Sequence, residues 1–183
     1  MIGILVSLAI VAALIALNGF FVAAEFALIG TPRTLIEKEA DEGSVLARRV
    51  VDILADPRRQ DRFIATAQLG ITVASLGLGM YGEHTLAEGL NRFLLDRGWG
   101  EGRWIAAHSA ASVVAVAVLT YLHIVLGEMV PKSLALQGPQ HVVKWIAPFM
   151  RVVEWFAYPL VVVLNGVGNF CLRILGIRRS DAE

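Results

Sequence analysis

Cysteine is almost missing from this chain of 183 residues, with Cys171 the single example. One thiol permits no internal disulfide and no cysteine cluster for zinc, so Cys171 reads as a small apolar filler. The four histidines, His84, His108, His123 and His141, are scattered through different segments. Charge is also low: 17% of residues are charged, against about a quarter in soluble domains. Lys and Arg balance Asp and Glu at sixteen each, which argues against nucleic acid held on a basic surface. No HExxH element, no Ser-His-Asp set and no cysteine nucleophile is present, so the chain is not expected to be an enzyme. The start, MIGILVSLAIVAALIALNGFFVAAEFALIG, lacks the basic n-region of a signal peptide. Its apolar run also exceeds the roughly 7–15 residues of an h-region, so it reads as a retained membrane span.

Apolar residues are what the chain has in abundance, at 56%. Crossing a bilayer takes about 20 of them in succession. The sequence predicts an all-α membrane protein with spans at about 2–29, 63–81 and 104–130. Between the first two, residues 33–57 carry apolar positions at mostly helical spacing, broken at Asp41-Glu42-Gly43 and stopped at Asp56-Pro57. This predicts an amphipathic helical hairpin. A second connector, 83–102, predicts a short helix through Leu86, Leu90, Phe93 and Leu94. The last apolar stretch, 140–177, has two readings. Hydropathy allows a fourth span, while Arg151, Glu154, Asn165, Asn169, Pro148 and Pro159 interrupt it. Loop charge favours a kinked belt helix in the interface. The first connector holds Arg33, Lys38, Arg48, Arg49, Arg58, Arg59 and Arg62, which marks it as cytoplasmic and the N-terminus as external. A belt would keep Arg178 and Arg179 inside, whereas a fourth span would put them outside. No internal repeat is visible.

Polar groups at membrane depth are costly without partners, so each asks for a reason. Asn18 and Glu25, seven residues apart, share one helix face. Glu25 faces protein, water or a cation, or else sits at the interface bonded to a connector arginine. Gln68, Thr72 and Ser75 also share a face, either as cation ligands or as interhelical glue. Gly70, Gly77 and Gly79 mark this second span as a packed inner helix, with Gly70 a candidate flex point. In the third span Pro131 cannot donate to the carbonyl of Gly127, leaving that oxygen beside the carboxylate of Glu128. Such a break is a cation-ligand arrangement; the alternative is a proline kink with Glu128 bonded to Lys132. The candidate donors are thus Asn18, Glu25, Gln68, Thr72, Ser75, Gly127 and Glu128. All are oxygens, which suits hard cations such as magnesium or calcium rather than zinc or copper. His123, near this set, reads as a helix–helix hydrogen bonder.

Three segments carry a resemblance: LNGFFVAAEFAL (17–28), TAQLGITVASLGLG (66–79) and HIVLGEMVPKSLA (123–135). With their Asn-Gly-x-Phe-x-x-x-Glu and Gly-Glu-x-x-Pro-Lys elements, they resemble the transmembrane domain of the CorC/CNNM (cyclin M) family. The resemblance implies magnesium transport, as sodium-coupled export from a homodimer in the inner membrane. It implies three spans, a cytoplasmic hairpin, a juxtamembrane belt and a cytoplasmic C-terminus. The magnesium site it implies is shared among the spans, falling here on Glu25, Ser75 and Glu128. Many relatives carry serine in place of Val22 and asparagine in place of Ser75 or Glu25. Relatives usually continue into a paired CBS module that binds adenine nucleotide, then a C-terminal domain. Neither lies within these residues, so the resemblance implies a piece of a longer protein, with nucleotide acting only through the missing module. A different class of reading is a membrane magnesium sensor or scaffold that moves no ions itself.

Overall fold

A computed structural model describes residues 2–82, 85, 88–89 and 104–174. The described residues are helical with short turns, and no strand occurs among them. Helix α1 covers Ile2–Gly30, α2 Arg33–Asp41, α3 Val45–Leu54 and α4 Pro57–Gly77, which runs on into a π-helical turn at Leu78–Gly82. Helix α5 covers Trp104–Leu122 and passes through a π-helical stretch, His123–Met129, into α6 at Val130–Gln137. Helix α7 runs from Pro139 to Ile174. Among the described residues, four helical stretches are long and apolar enough to cross a membrane by length and composition: Leu5–Gly30, Pro57–Gly82, Val113–Gln137 and Pro139–Gly168. The short helix expected within 83–102 lies outside the described residues, as do Arg178 and Arg179.

Local chemistry sets these boundaries. The last turn of α1 is closed by Thr31, whose Oγ1 donates to the Ala27 carbonyl at 2.6 Å, and Pro32 then opens α2. Between α2 and α3 the chain turns at Gly43, whose φ of 103° suits a residue without Cβ. Ser44 caps α3 by accepting the Ala47 N–H at 3.2 Å. Asp56 accepts the Arg58 N–H at 2.9 Å, and Pro57 occupies the first position of α4, where its missing donor costs nothing. The second span therefore belongs to a helix that begins at Pro57 rather than near Phe63, and Arg58, Arg59 and Arg62 ride on its first turns.

Two larger differences from the sequence reading follow from proline. Pro131 was expected to disturb the end of the third span near Val130. The helix instead resumes past Pro131 as far as Gln137, and the disturbance lies before the proline, in the π-helical stretch. A wider i→i+5 turn absorbs the missing donor without ending the helix. Pro148 and Pro159 likewise lie inside a continuous α7 of 36 residues, where they were expected to interrupt or kink the stretch.

By its packing the chain forms two compact units. The first comprises Met1–Val22 and Gly70–Ser133; the second comprises Ala23–Leu69 and Leu134–Glu183. In the first, Val11 and Ile15 of α1 pack with Leu78 and with Leu119 of α5, flanked by Leu14 and Leu122. In the second, Ile36 and Ala40 of α2 and Ala47 and Val50 of α3 are buried, as are Val143, Ala147 and Met150 of α7. These α7 residues recur at helical spacing and define its inner face. Lys144 of α7 forms an ion pair with Glu39 of α2, both side chains mostly buried.

Candidate cation site

Asn18 is the centre of the polar cluster in the first unit. It is fully buried, and its two amide atoms are used differently. Nδ2 donates to the Gly127 carbonyl at 2.9 Å, and Oδ1 accepts from Ser75 Oγ at 3.0 Å. The orientation is fixed by chemistry, since a carbonyl only accepts and must face the NH2 end. The Gly127 oxygen left over by Pro131 is thereby satisfied from α1. Ser75 has one proton, given to Asn18, so it accepts from His123 Nε2 at 3.4 Å. His123 Nε2 in turn lies 3.8 Å from a carboxylate oxygen of Glu128, the residue after Gly127. The polar groups thus close a ring across α1, α4 and the π-helical stretch.

Backbone packing holds this ring in place. A Cβ on Gly19 would stand 2.8 Å from Pro131 Cγ and 3.5 Å from the Leu126 carbonyl, so only glycine lets α1 sit against the broken turn. Gly70 plays the same part against Phe21, whose ring carbons a Cβ would meet at 2.5 Å. Gly70 lies in the regular part of α4, and the irregular turn of that helix comes later, at Leu78–Gly82.

Of the seven residues singled out from sequence, six fall into two groups. Asn18, Ser75, Gly127 and Glu128 meet in the first unit. Glu25 and Gln68 belong to the second, where Gln68 Nε2 donates to Glu25 Oε1 at 3.3 Å. Glu25 therefore has a glutamine partner. Thr72 lies exposed on α4. His123 is the member whose closeness to Glu128 was hardest to foresee. Residues five apart diverge on an α-helix, and only the i→i+5 winding brings them to one side.

As a donor set, the ring offers an amide oxygen, a hydroxyl, a peptide carbonyl and one carboxylate. These are hard oxygens of the kind that magnesium or calcium prefers. Glu128 has a side chain 47% exposed, so the carboxylate is reachable while Asn18 is sealed. Among the described residues no group of three His, Cys, Asp or Glu side chains gathers.

Fold and cluster together define a multi-pass helical membrane domain with a polar ring at a broken helix. The description "Cyclin M transmembrane N-terminal domain" matches residues 9–183, and the chain belongs to this family. Among curated relatives, it is 33% identical over 178 residues to UPF0053 protein YhdT of Bacillus subtilis, covering 96% of this chain and 37% of that protein. It is 34% identical to uncharacterized protein MT1889 of Mycobacterium tuberculosis, covering 92% of this chain and 46% of that one. With UPF0053 protein sll0260 of Synechocystis the identity is 31%, covering 93% and 37% respectively. The chain thus spans less than half the length of these relatives.

Proposed function

We propose that this domain carries magnesium across the membrane, as sodium-coupled export, with the ion taken up at the ring of Asn18, Ser75, Gly127 and Glu128. The observation that carries the reading is a fully buried asparagine bonded to a peptide carbonyl exposed by a helix break, next to a glutamate. Irregular backbone at membrane depth belongs where it lines a cavity or holds an ion. Magnesium dehydrates reluctantly and keeps several waters, so four protein oxygens with one carboxylate are a reasonable complement. The hydrogen bonds within the ring keep those oxygens satisfied when no ion is bound.

The same reading places α1, α4 and α5–α6 as three spans and α7 as a belt in the interface of a homodimer. Arg151 and Glu154 stand near the middle of the apolar stretch of α7, where a spanning helix would put them at the costly bilayer centre. Arg151 also lines one cavity with Arg58 and Arg62 from the start of α4. That is the level of an interface, and by its basic residues the cytoplasmic one. The N-terminus then lies outside and the α2–α3 hairpin inside.

Calorimetry of magnesium binding to the purified domain tests the reading. Binding by the parent and at least a tenfold loss in both Glu128→Gln and Ser75→Ala is expected. Equal binding by all three would remove the ring from the account.

A further inference from the structure

The second unit holds a feature that the cation ring does not use. A cavity of about 550 Å³ is lined by five arginines: Arg49 of α3, Arg58, Arg59 and Arg62 of α4, and Arg151 of α7. Two carboxylates, Asp56 and Glu154, share its wall, leaving three positive charges in excess. Asp56 is engaged with Arg59 at 3.4 Å, and Glu154 stands beside Arg62 and Arg151. Guanidiniums drawn from three helices into one cavity repel one another unless an anion joins them, and their planar forks suit phosphate oxygens.

The cavity continues into an apolar surface. A smaller cavity of about 270 Å³ shares Arg62, Arg151 and Glu154 with it and adds Trp155 and Tyr158. The Arg62 guanidinium lies 5.6 Å from the centre of the Tyr158 ring. Beyond these, α7 presents Trp145, Phe149, Val152 and Phe156 outward, with Trp155 73% exposed. Trp145, Phe149, Val152 and Phe156 follow helical spacing opposite the inner face of Val143, Ala147 and Met150, so they form one stripe, with Trp155 packed against Phe156 at its edge. Cationic cavity and aromatic stripe meet at Arg151 and Trp155. A soluble anion would use only the first, whereas a molecule with a phosphate head and hydrocarbon tails would use both.

We infer that this cavity is a binding site for an anionic phospholipid, its phosphodiester held by Arg62 and Arg151 with Arg49 and Arg58, and its acyl chains laid along the Trp155 stripe of α7. The site is independent of the cation ring and stands whether or not the domain moves magnesium. It fastens α3, α4 and α7 together through the lipid and fixes α7 at headgroup depth, where Trp and Tyr also settle.

The experiment is thermal unfolding and native mass spectrometry of the detergent-purified chain, with phosphatidylglycerol, phosphatidylcholine or inorganic phosphate added. Phosphatidylglycerol is expected to raise the transition and to remain bound in the mass spectrum, with phosphatidylcholine and inorganic phosphate doing neither. Each cation at a lipid surface contributes about a fivefold affinity, so Arg62→Gln with Arg151→Gln should weaken phosphatidylglycerol binding about thirtyfold. Arg33→Gln with Lys38→Gln removes the same charge from the paired surface of α2 and should leave it unchanged. If the double variant folds poorly by circular dichroism, Arg151→Gln alone, at an exposed position, should still show about a fivefold loss. Equal weakening by the α2 control would mean bulk charge and overturn the site. So would a matching shift from inorganic phosphate, which marks a soluble-anion site. A shift following protein concentration instead of lipid would assign the stripe to a second copy and overturn it too.

Discussion

Replacing Asn18 by alanine removes the side chain that joins α1 both to the Gly127 carbonyl and to Ser75. Two hydrogen bonds go, and the Gly127 carbonyl has no i→i+4 donor to return to, because Pro131 has none. Interhelical bonds in membranes average about 0.6 kcal/mol each, which for two gives about 1.2 kcal/mol. An abandoned buried carbonyl adds a penalty of about 1–3 kcal/mol unless water enters. The loss expected for Asn18→Ala is therefore about 2–4 kcal/mol in reversible unfolding from mixed micelles. Asn18→Asp separates the two contributions, since it keeps the size and the acceptor for Ser75 but turns a donor into an anionic oxygen facing the Gly127 carbonyl at 2.9 Å. Without magnesium it should destabilise at least as much as alanine. With magnesium it should recover, because an ion between the two oxygens replaces the lost proton. An Asn18→Ala loss below about 0.5 kcal/mol, within the usual range of an unimportant surface change, would refute this reasoning. It would show that the carbonyl finds another partner at no cost.

Other substitutions probe the packing around the ring. Gly70→Ala drives a Cβ into the Phe21 ring and should cost about 1–3 kcal/mol, most of it regained in the double variant with Phe21→Leu. Thr66 has its hydroxyl buried with no hydrogen-bond partner among the described residues, so Thr66→Val should be neutral or stabilise by up to about 1 kcal/mol in the same unfolding assay. Lys144→Met strands Glu39 in a mostly buried place and should destabilise by about 1–3 kcal/mol, while adding Glu39→Gln should restore much of it. Pro131→Ala returns a donor to the helix; amide exchange at residue 131 should then show protection, and magnesium affinity should fall as the Gly127 oxygen is drawn back into the ladder.

Much of the ring was legible from residue chemistry. Pro131 alone announced that the Gly127 carbonyl would need a partner, and the scarcity of buried polar groups pointed to Asn18 and Ser75. Depth was not legible. Asn18 and Glu25 share a helix face, yet seven residues of α-helix rise about 10 Å, too far for one coordination shell. Periodicity reports direction around a helix and is silent about position along it. Gln68 and Ser75 differ by the same seven residues, and each found the α1 residue at its own level. Winding was not legible either: nothing in HIVLGEM announces an i→i+5 turn except the proline that follows, and that turn is what brings His123 toward Glu128. The arginine cavity escaped the sequence reading because Arg151 comes from a segment far along the chain from the connector that holds Arg49 and Arg62. Their charges counted only as a sign of which side they face.

Whether the domain moves magnesium is read from flux in proteoliposomes, with the purified domain, an entrapped magnesium indicator and a sodium gradient imposed across the vesicle. The account predicts magnesium movement above empty vesicles that depends on the gradient and is abolished by Glu128→Gln and Asn18→Ala, with α2 variants such as Arg33→Gln unaffected. Flux equal to empty vesicles from a folded, magnesium-binding domain would contradict it and make the ring a sensor; undiminished flux in Glu128→Gln would place the ion's path elsewhere.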